Sequence, residues 1–344
     1  MVDVTVCGAG IFGLSVAYAC LRRGAQVQIV DPNGVGAGAS GGIVGALAPH
    51  TPENWNPKKD FQFDSLIMAE DYWAGVERLS ALPTGYARLG RLQPIADDHT
   101  LTLARDRATS AKRLWQGQAD WRVVPASDHA GWAPQSPTGW LIHDTLSARI
   151  HPRQATTALA QAIAALGGHI THRATLAGQI VWATGYDGLL ELSRDLGTPV
   201  GNGVKGQAAL LGFEARKQPQ LFADALHIVP HHDGTVAIGS TSERDFDDPT
   251  SIDTQLDDVI ARAMDSFPML ADAPVIERWA GIRPRAKSRA PMLGGYPGKP
   301  DQFIANGGFK IGFGMAPKVG EVMADLILDA RDTIPEGFRV EDNF

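Results

Sequence analysis

The sequence predicts an α/β protein with a βαβ unit at its start and an antiparallel β region in its second half. In segment 2–31, an apolar run, a glycine-rich turn, a helical run and a second apolar run follow one another. In segment 200–245, short apolar runs alternate with turn residues, which is typical of antiparallel strands. The length of 344 residues exceeds the usual size of one hydrophobic core and favours two domains.

The βαβ unit carries the pattern of a dinucleotide-binding turn. Residues 2–6 are predicted as a buried strand and residues 14–23 as a helix, with the G-x-G-x-x-G segment 8–13 between them. Glycines at this spacing allow a tight turn, a close approach of the backbone to a pyrophosphate, and close packing of helix on strand. Asp31 follows the second strand, Val27–Val30, where a carboxylate can accept hydrogen bonds from an adenosine ribose. Strand, helix, strand and acid in this order favour a nucleotide site over a glycine-rich turn that binds nothing.

Composition and charge favour an enzyme that acts on small molecules. The net charge of −7 and the lack of a Lys/Arg run argue against a nucleic-acid partner, which needs a basic face. No segment has the length and composition of a membrane span, and the N-terminal stretch lacks the features of a signal peptide, so we expect a cytoplasmic protein. Cys7 and Cys20 both fall in the first strand–helix unit, so we expect neither a disulfide framework nor a cysteine-linked cofactor.

Hydrophobic periodicity predicts the remaining elements. The predicted helices span 57–80, 100–116, 151–166, 254–267 and 317–329, and the predicted strands span 179–183, 203–212, 227–230, 235–239 and 302–305. The region from Trp115 to Trp140 is rich in loops and gives no clear pattern. Three further segments place small residues where backbone can meet a ligand, namely 34–42, 184–185 and 307–312.

These segments resemble the glycine oxidase and D-amino-acid oxidase superfamily of FAD enzymes. Matching stretches run in family order from Val2 to Leu328 and include GAGASGGIVGALAP, WAGIRPRAKSRAPMLG and NGGFKIGFGMAPKVGEVMADLI. The last two are more selective than the βαβ unit, which many flavoproteins share. The resemblance implies FAD, a Rossmann-like FAD-binding domain of the GR2 type, and an inserted antiparallel β-sheet domain for the substrate. The cysteine positions favour non-covalent binding of this FAD.

The resemblance also implies that both domains are discontinuous in sequence. The FAD-binding domain is expected at 1–80, 145–200 and 285–344, and the substrate-binding domain at 81–144 and 201–284. The family usually has a three-stranded meander where this chain has only the short segment 171–180. We therefore expect the FAD-binding domain to be trimmed on one face.

Residues expected to contact FAD come from the βαβ turn, the glycine-rich stretch after it, and two later loops. They are Gly8, Gly10, Ile11, Phe12, Gly13, Asp31, Pro32, Ser40, Gly41, Ala46, Leu47, Thr184, Gly185, Gly307, Gly308, Phe309, Lys310 and Ile311. No metal site is expected, because His227, His231 and His232 lie on a strand and its turn, where a pair of histidines usually faces solvent.

Four residues are expected on the substrate side of the site. Arg283 lies in a G-I-R-P motif whose family counterpart pairs with the substrate carboxylate, a task that suits a bidentate guanidinium; a surface salt bridge is the alternative. His227 stands where glycine oxidases carry a substrate-facing tyrosine, and a histidine there could titrate. Lys310 matches an arginine beside the flavin edge, or else is a solvent-exposed lysine. His50 follows the flavin-facing loop and is a candidate for the pocket.

The reaction implied by the resemblance is oxidation of the C–N bond of a small amino acid or secondary amine. Hydride would pass from the α-carbon to flavin N5, and water would hydrolyse the resulting imine. Oxygen, a quinone or another carrier would take the electrons. Arg285, Lys287 and Arg289 add positive charge that would favour an acidic substrate, although a solvated charged loop explains them equally well.

Three other interpretations remain open. The stretches GASGGIVGALAP and RAPMLG also resemble the oxidase half of the bifunctional enzyme that matures wobble uridine in tRNA, although the acidic charge argues against it. A second interpretation is an NAD(P)-dependent dehydrogenase, which the glycine-rich C-terminal segment argues against. A third is a flavin-binding subunit of an amine or opine dehydrogenase, whose partner carries the chemistry.

Overall fold

Three sheets and seven α-helices organise residues 2–344, the part of the chain that the computed structural model describes. The helices are α1 (Ile11–Arg22), α2 (Pro57–Ser80), α3 (Asp98–Leu114), α4 (Pro152–Ala165), α5 (Gly185–Leu196), α6 (Thr254–Ser266) and α7 (Gly312–Asp329). The strands are β1 (Val4–Cys7), β2 (Val27–Val30), β3 (Ala46–Leu47), β4 (Arg91–Pro94), β5 (Trp121–Pro125), β6 (Trp140–Asp144), β7 (Ala148–Arg149), β8 (His169–Thr171), β9 (Gln179–Trp182), β10 (Gly201–Gly212), β11 (Gln220–Ala223), β12 (Leu226–Pro230), β13 (Thr235–Gly239), β14 (Val275–Ala286), β15 (Met292–Gly295) and β16 (Gln302–Asn306).

A six-stranded sheet contains the predicted βαβ unit. Its order is β15-β16-β9-β1-β2-β8, and every neighbouring pair is parallel except β15 with β16. The carboxyl ends of its parallel strands therefore meet at one edge, where ligands of open α/β sheets bind. Gly8, Asp31, Ala183 and Gly307 directly follow β1, β2, β9 and β16, so the sheet brings the predicted cofactor segments to this edge.

An eight-stranded sheet forms the second layer of strands. Its order is β14-β10-β13-β12-β11-β4-β6-β5, antiparallel throughout except between β11 and β4. Side chains of β11, β12 and β13 form one hydrophobic cluster with those of α6, including Leu221, Ile228, Ile238 and Leu256. The predicted combination of an α/β fold with an antiparallel sheet is confirmed, while the limits of the two domains remain a prediction.

Two helices begin at least three residues earlier than predicted. α1 starts at Ile11 and not at residue 14, so Gly13 lies inside its first turn. A Cβ at Gly13 would come within 2.0 Å of the Gly8 carbonyl oxygen, so close packing against the strand requires glycine at this helical position. α7 starts at Gly312 and not at Pro317, although proline favours the first position of a helix. Burial of Met315, Ala316 and Val319 offsets the hydrogen bond that proline cannot donate. The N-terminus of α7 therefore begins directly after the glycine loop 307–311.

Two regions complete the description of the fold. Residues 172–178, between β8 and β9, contain no strand, so a short loop stands where the family usually has a meander. The tryptophan-rich region supplies β5 and β6, and Trp115 and Trp121, the first residue of β5, are both buried. Within residues 2–344, no helix combines the length and apolar character needed to cross a membrane.

Candidate active site

Ser40 lies at the N-terminus of α1, where a phosphate is predicted to bind. The backbone N–H of Ile11 donates to Ser40 Oγ over 2.9 Å, which joins two predicted cofactor segments. A Cβ at Gly10 would meet only Ser40 Oγ, at 3.2 Å, so the space before the helix is open. The first N–H groups of a helix have no acceptor within it, and they carry partial positive charge. This helix end fits a pyrophosphate group.

Asp31 fixes the turn at the end of β1. Its Oδ2 accepts from the backbone N–H of Ala9 over 2.7 Å, and its Oδ1 accepts from that of Asn33 over 2.9 Å. The carbonyl oxygens of Asp31 and Pro32 both lie 3.2 Å from Nδ1 of His172, a residue that the sequence did not single out. The ribose contact of Asp31 remains a prediction.

Asn306 joins the two later glycine loops. Its Nδ2 donates to the Gly185 carbonyl over 2.9 Å, and its Oδ1 accepts from the Gly307 N–H over 2.7 Å. A Cβ at Gly308 would lie 2.9 Å from the Phe12 ring, so the loop also reaches the βαβ turn. Thr184 is the N-cap residue of α5 and stands beside Gly185. Asn306 was missed, although it precedes the glycines of the quoted NGGFK stretch.

Arg153 anchors the loop that carries Ser40 and Gly41. Its Nε donates to the Gly41 carbonyl over 2.7 Å, while its two terminal nitrogens bond Glu277 over 2.9 and 2.6 Å. Ala46 and Leu47 form β3, and Leu47 is buried in the same hydrophobic cluster as Ile11 and Phe12. The structure thus brings all the predicted cofactor segments to one region. Their contacts with FAD remain predictions.

Arg283 lies half-buried on β14, and its guanidinium folds across β10. Nη2 donates to Ser240 Oγ over 2.6 Å and Nη1 donates to the Thr241 carbonyl over 3.3 Å. A Cβ at Gly206 would lie 2.0 Å from the guanidinium, so only glycine fits beneath it. Burial, partly opposed by Glu243, lowers the Arg283 pKa to about 10, which leaves the group charged at neutral pH. No salt bridge to Arg283 forms within residues 2–344, so the alternative of a surface salt bridge is wrong.

His227 lies on β12, separated from β14 by two strands of the same sheet, and its ring is near enough to the Arg283 guanidinium to feel its charge. His227 pairs with Gly239 of β13. Gly239 directly precedes Ser240, whose hydroxyl accepts a hydrogen bond from Arg283. Burial and the charges of Arg91, Lys310 and Arg283 lower the His227 pKa to about 3, so it stays neutral near pH 7 instead of titrating. Its buried Nδ1 has no hydrogen-bond partner among the described residues. A buried orphan nitrogen of this kind fits a bound ligand.

Lys310 is linked to the strand that carries Arg283. The N–H of Phe309 donates to the Pro284 carbonyl over 2.9 Å, which ties the glycine loop to β14. Partial burial and the charges of Arg283 and Arg285 lower the Lys310 pKa, although the side chain reaches solvent. The structure therefore groups Arg283, His227 and Lys310.

A cavity of about 420 Å³ lies against the 307–311 loop, and His50 and Lys310 line it. His50 Nδ1 lies 2.5 Å from Gln62 Oε1, which also accepts from the His50 N–H over 2.8 Å. Burial, with the charges of Lys58 and Lys59, lowers the His50 pKa despite the hydrogen bond to Gln62. Arg283 and His227 are not among the lining residues. His50 therefore shares the cavity with Lys310, but not with Arg283 or His227.

His231 does not face solvent, and that expectation was wrong. Its side chain is fully buried, and its Nε2 lies 2.9 Å from the Ile43 carbonyl. The ring packs 4.6 Å from His151, whose Nε2 lies 3.6 Å from Asp233. Burial, with the nearby His151, lowers the His231 pKa to about 4. The turn folds back onto the chain after Ser40, a contact that the local sequence does not reveal.

Comparison with known proteins gives matches over nearly the whole chain. A bifunctional protein ThiO/ThiG of Synechocystis sp. is 26% identical over 96% of this chain and 52% of its own length. A glycine oxidase of Pseudomonas putida is 26% identical over 97% of this chain and 98% of its own. The solved iminodiacetate oxidase of Chelativorans sp. superposes with a TM-score of 0.82 at 23% identity, covering 98% of both chains. The chain spans about half the length of the bifunctional relative.

The family comparison agrees with the site geometry. The family model described as FAD dependent oxidoreductase, DAO, matches residues 3–326. The matched range includes the helix end at Gly10, the Asn306 link and the Arg283 group. The chain therefore belongs to the DAO family of FAD-dependent oxidoreductases.

Proposed function

We propose that this chain oxidises the C–N bond of a small amino acid or secondary amine. The observation that carries the proposal is the half-buried Arg283 guanidinium, which forms no salt bridge within residues 2–344, feels Glu243 only from a distance, and lies near His227 and Lys310. The glycine oxidase relative supports the same substrate class. Bound FAD would accept the hydride that leaves the α-carbon, and water would then hydrolyse the substrate imine.

Arg283 is proposed to hold the substrate carboxylate. Ser240 and Thr241 each take one bond from the terminal nitrogens and so fix the plane of the guanidinium. The remaining N–H donors can then face an anion in a fixed orientation, because a guanidinium carries five donors. Fixing the carboxylate aligns the neighbouring C–H and C–N bonds, and this alignment is the main requirement of the reaction.

His227 is proposed to contact the substrate as a neutral ring. With a pKa of about 3 it adds no positive charge, so it can accept a hydrogen bond from an amine or donate one to a carboxylate. Its ring packs 4.6 Å from Phe222, which limits its motion. A neutral imidazole at this position fits a small polar substrate.

Lys310 and His50 are proposed to border the reacting centre from the cavity side. Lys310 brings a cation to the loop whose backbone is predicted to contact FAD, and a nearby cation stabilises negative charge that develops there. His50 Nδ1 faces Gln62, so its Nε2 is the nitrogen left for a ligand. We also propose that the predicted cofactor residues contact FAD and that the chain is divided into the two domains expected from its sequence.

Other interpretations receive less support. Membership in an FAD-dependent family argues against an NAD(P)-dependent dehydrogenase. A tRNA substrate would need a basic face, whereas the chain carries a net charge of −7. A non-catalytic flavin subunit would not need an uncompensated guanidinium beside the glycine loop.

The proposed function can be tested by product analysis. The purified protein is mixed aerobically with glycine, other amino acids of each hand, and N-substituted glycines. We expect a keto acid or glyoxylate to form together with ammonia or an amine, in equal amounts. Oxidation of none of these amines, with FAD bound, either in air or with a quinone added as electron acceptor, would contradict the proposal.

A further inference from the structure

We propose that the substrate carries a second anionic group, which the cationic wall of the 420 Å³ cavity binds while Arg283 holds the first carboxylate. We define the cationic wall as Lys58, Arg244, Arg285, Arg289 and Lys310. This inference rests on the proposed function, since it names the class of amine that would be oxidised: a small amine with two carboxylates, or with one carboxylate and one phosphonate.

The cationic wall has no acidic counterpart. Five of the twelve residues that line the cavity are lysine or arginine, and none is aspartate or glutamate. None of the five forms a salt bridge within residues 2–344, whereas other cations such as Arg153 and Lys318 pair with carboxylates. In a chain with 38 acidic and 31 basic residues, this local excess of positive charge is not a consequence of composition. Clefts lined by one sign of charge concentrate ligands of the other sign.

Contacts other than ion pairs hold these cations in place. Lys58 Nζ donates to the Arg289 carbonyl, and this bond joins α2 to the loop after β14. The Arg285 guanidinium and the Lys310 ammonium each lie 5.6 Å from the centre of the Phe309 ring, so one aromatic ring contacts both. These contacts therefore hold three of the five cations, Lys58, Arg285 and Lys310, beside the cavity.

Burial and mutual repulsion in the wall favour an anionic ligand there. Burial and the charge of Arg289 lower the Lys58 pKa, and burial with the charges of Arg283 and Arg285 lowers that of Lys310. An anion among these groups would relieve the repulsion, because an opposite charge favours the protonated form. A neutral amino acid has only one carboxylate, and Arg283 would already hold it.

The two anion sites use different residues. Arg283 bonds Ser240 and Thr241 and does not line the cavity, while Arg285, two residues along β14, does. Lys287 is exposed and does not line the cavity, although it lies in the same loop as Arg289. Lys287 therefore provides a matched control for the charge of the loop.

The test measures binding of two ethers that cannot be oxidised as amines. Diglycolate carries two carboxylates and methoxyacetate carries one, with similar chain lengths. Calorimetry with the FAD-loaded protein should show that diglycolate binds about tenfold tighter or more, a difference of about 1.4 kcal/mol. High salt should reduce this preference. Arg244→Gln and Arg289→Gln should each reduce it, and Lys287→Gln should keep it. Phosphonoacetate, compared with diglycolate, identifies which second anion the wall prefers.

Equal affinities for the two ethers, no binding of either, or equal loss of the preference in all three variants would overturn the inference. These outcomes are independent of turnover, since no amine is oxidised. Failure of the proposed function would instead appear as a missing product with every amine, even where diglycolate binds tightly. An amine panel then completes the test: the ratio of kcat/KM for iminodiacetate to that for glycine should fall in Arg289→Gln and stay unchanged in Lys287→Gln.

Discussion

Replacement of Arg283 by alanine should weaken binding of the amine substrate without loss of FAD. The guanidinium is half-buried, remains charged, and has no carboxylate partner within residues 2–344. Removal of its side chain takes away the positive charge that we propose pairs with the substrate. Residues of the nucleotide site, such as Ser40 and Asp31, do not bond to it, so FAD content should stay normal.

The expected loss is about 2–5 kcal/mol, the range for truncation of one partner of a buried, hydrogen-bonded charge pair. Coulomb's law gives about 4 kcal/mol for two charges about 4 Å apart at an effective dielectric constant of about 20. The hydrogen bonds to Ser240 and Thr241 orient the guanidinium but do not neutralise it, so its charge remains available to the substrate carboxylate. KM should rise about 30-fold to several-thousand-fold. Arg283→Lys should restore only part of the affinity, because one ammonium cannot form two parallel bonds.

The assay compares steady-state KM, FAD content and melting temperature for the variant and a matched control. Arg278→Ala is suitable, because Arg278 lies on the same strand and forms a surface salt bridge of 2.7 Å with Asp257. The control should keep KM, since exposed pairs contribute little. Unchanged affinity in Arg283→Ala, with FAD bound, would refute the reasoning and make Arg283 structural.

Three further outcomes are expected. Acid precipitation should release all flavin as FAD into the supernatant, because Cys7 and Cys20 are buried in the first strand–helix unit; flavin in the pellet would contradict this. Lys310→Met should slow flavin reoxidation or lower the flavin reduction potential if Lys310 lies against the flavin. If Lys310 instead contacts the substrate, only the affinity for the amine should fall. Stopped-flow measurement of the two half-reactions separates these results, and no change in either would mean that Lys310 is a solvent-exposed lysine of the loop. The melting temperature should fall as pH decreases from about 6.5 towards about 4, because the folded His231 pKa of about 4 lies below its ordinary value and the unfolded chain binds more protons in that window. The loss from His231 should be about 1–3 kcal/mol, so His231→Gln should make the dependence shallower and leave the part that His227, with its folded pKa of about 3, contributes. An equally steep profile in His231→Gln would argue against His231.

The parts of the site that the sequence predicted are those formed by short continuous patterns. The βαβ turn 8–13 and the loop 307–311 each place their glycines by local backbone requirements, and a periodic pattern reveals the elements on either side. The bonds that bring such segments together span large separations in sequence. Arg153 reaches Gly41 across 112 residues, and Asn306 reaches Gly185 across 121, so no local pattern contains them.

Other differences have equally local physical causes. Pro317 is a strong signal for a helix start, but burial of the preceding turn carries α7 back to Gly312. His231 looks like a turn residue, yet its ring is buried against His151 and the Ile43 carbonyl. Lys58 and Arg244 were not singled out, because each is an ordinary surface residue until the fold places it at the cavity.

The most direct measurement of the central claim is anaerobic reduction of the bound FAD. The protein is mixed without oxygen with each member of an amine panel, and the absorbance of oxidised flavin is followed. We predict that at least one amino acid or N-substituted glycine bleaches the flavin, with one equivalent of amine consumed per flavin, and that NADH does not. Flavin that stays oxidised with every amine, or that NADH reduces, would contradict the account.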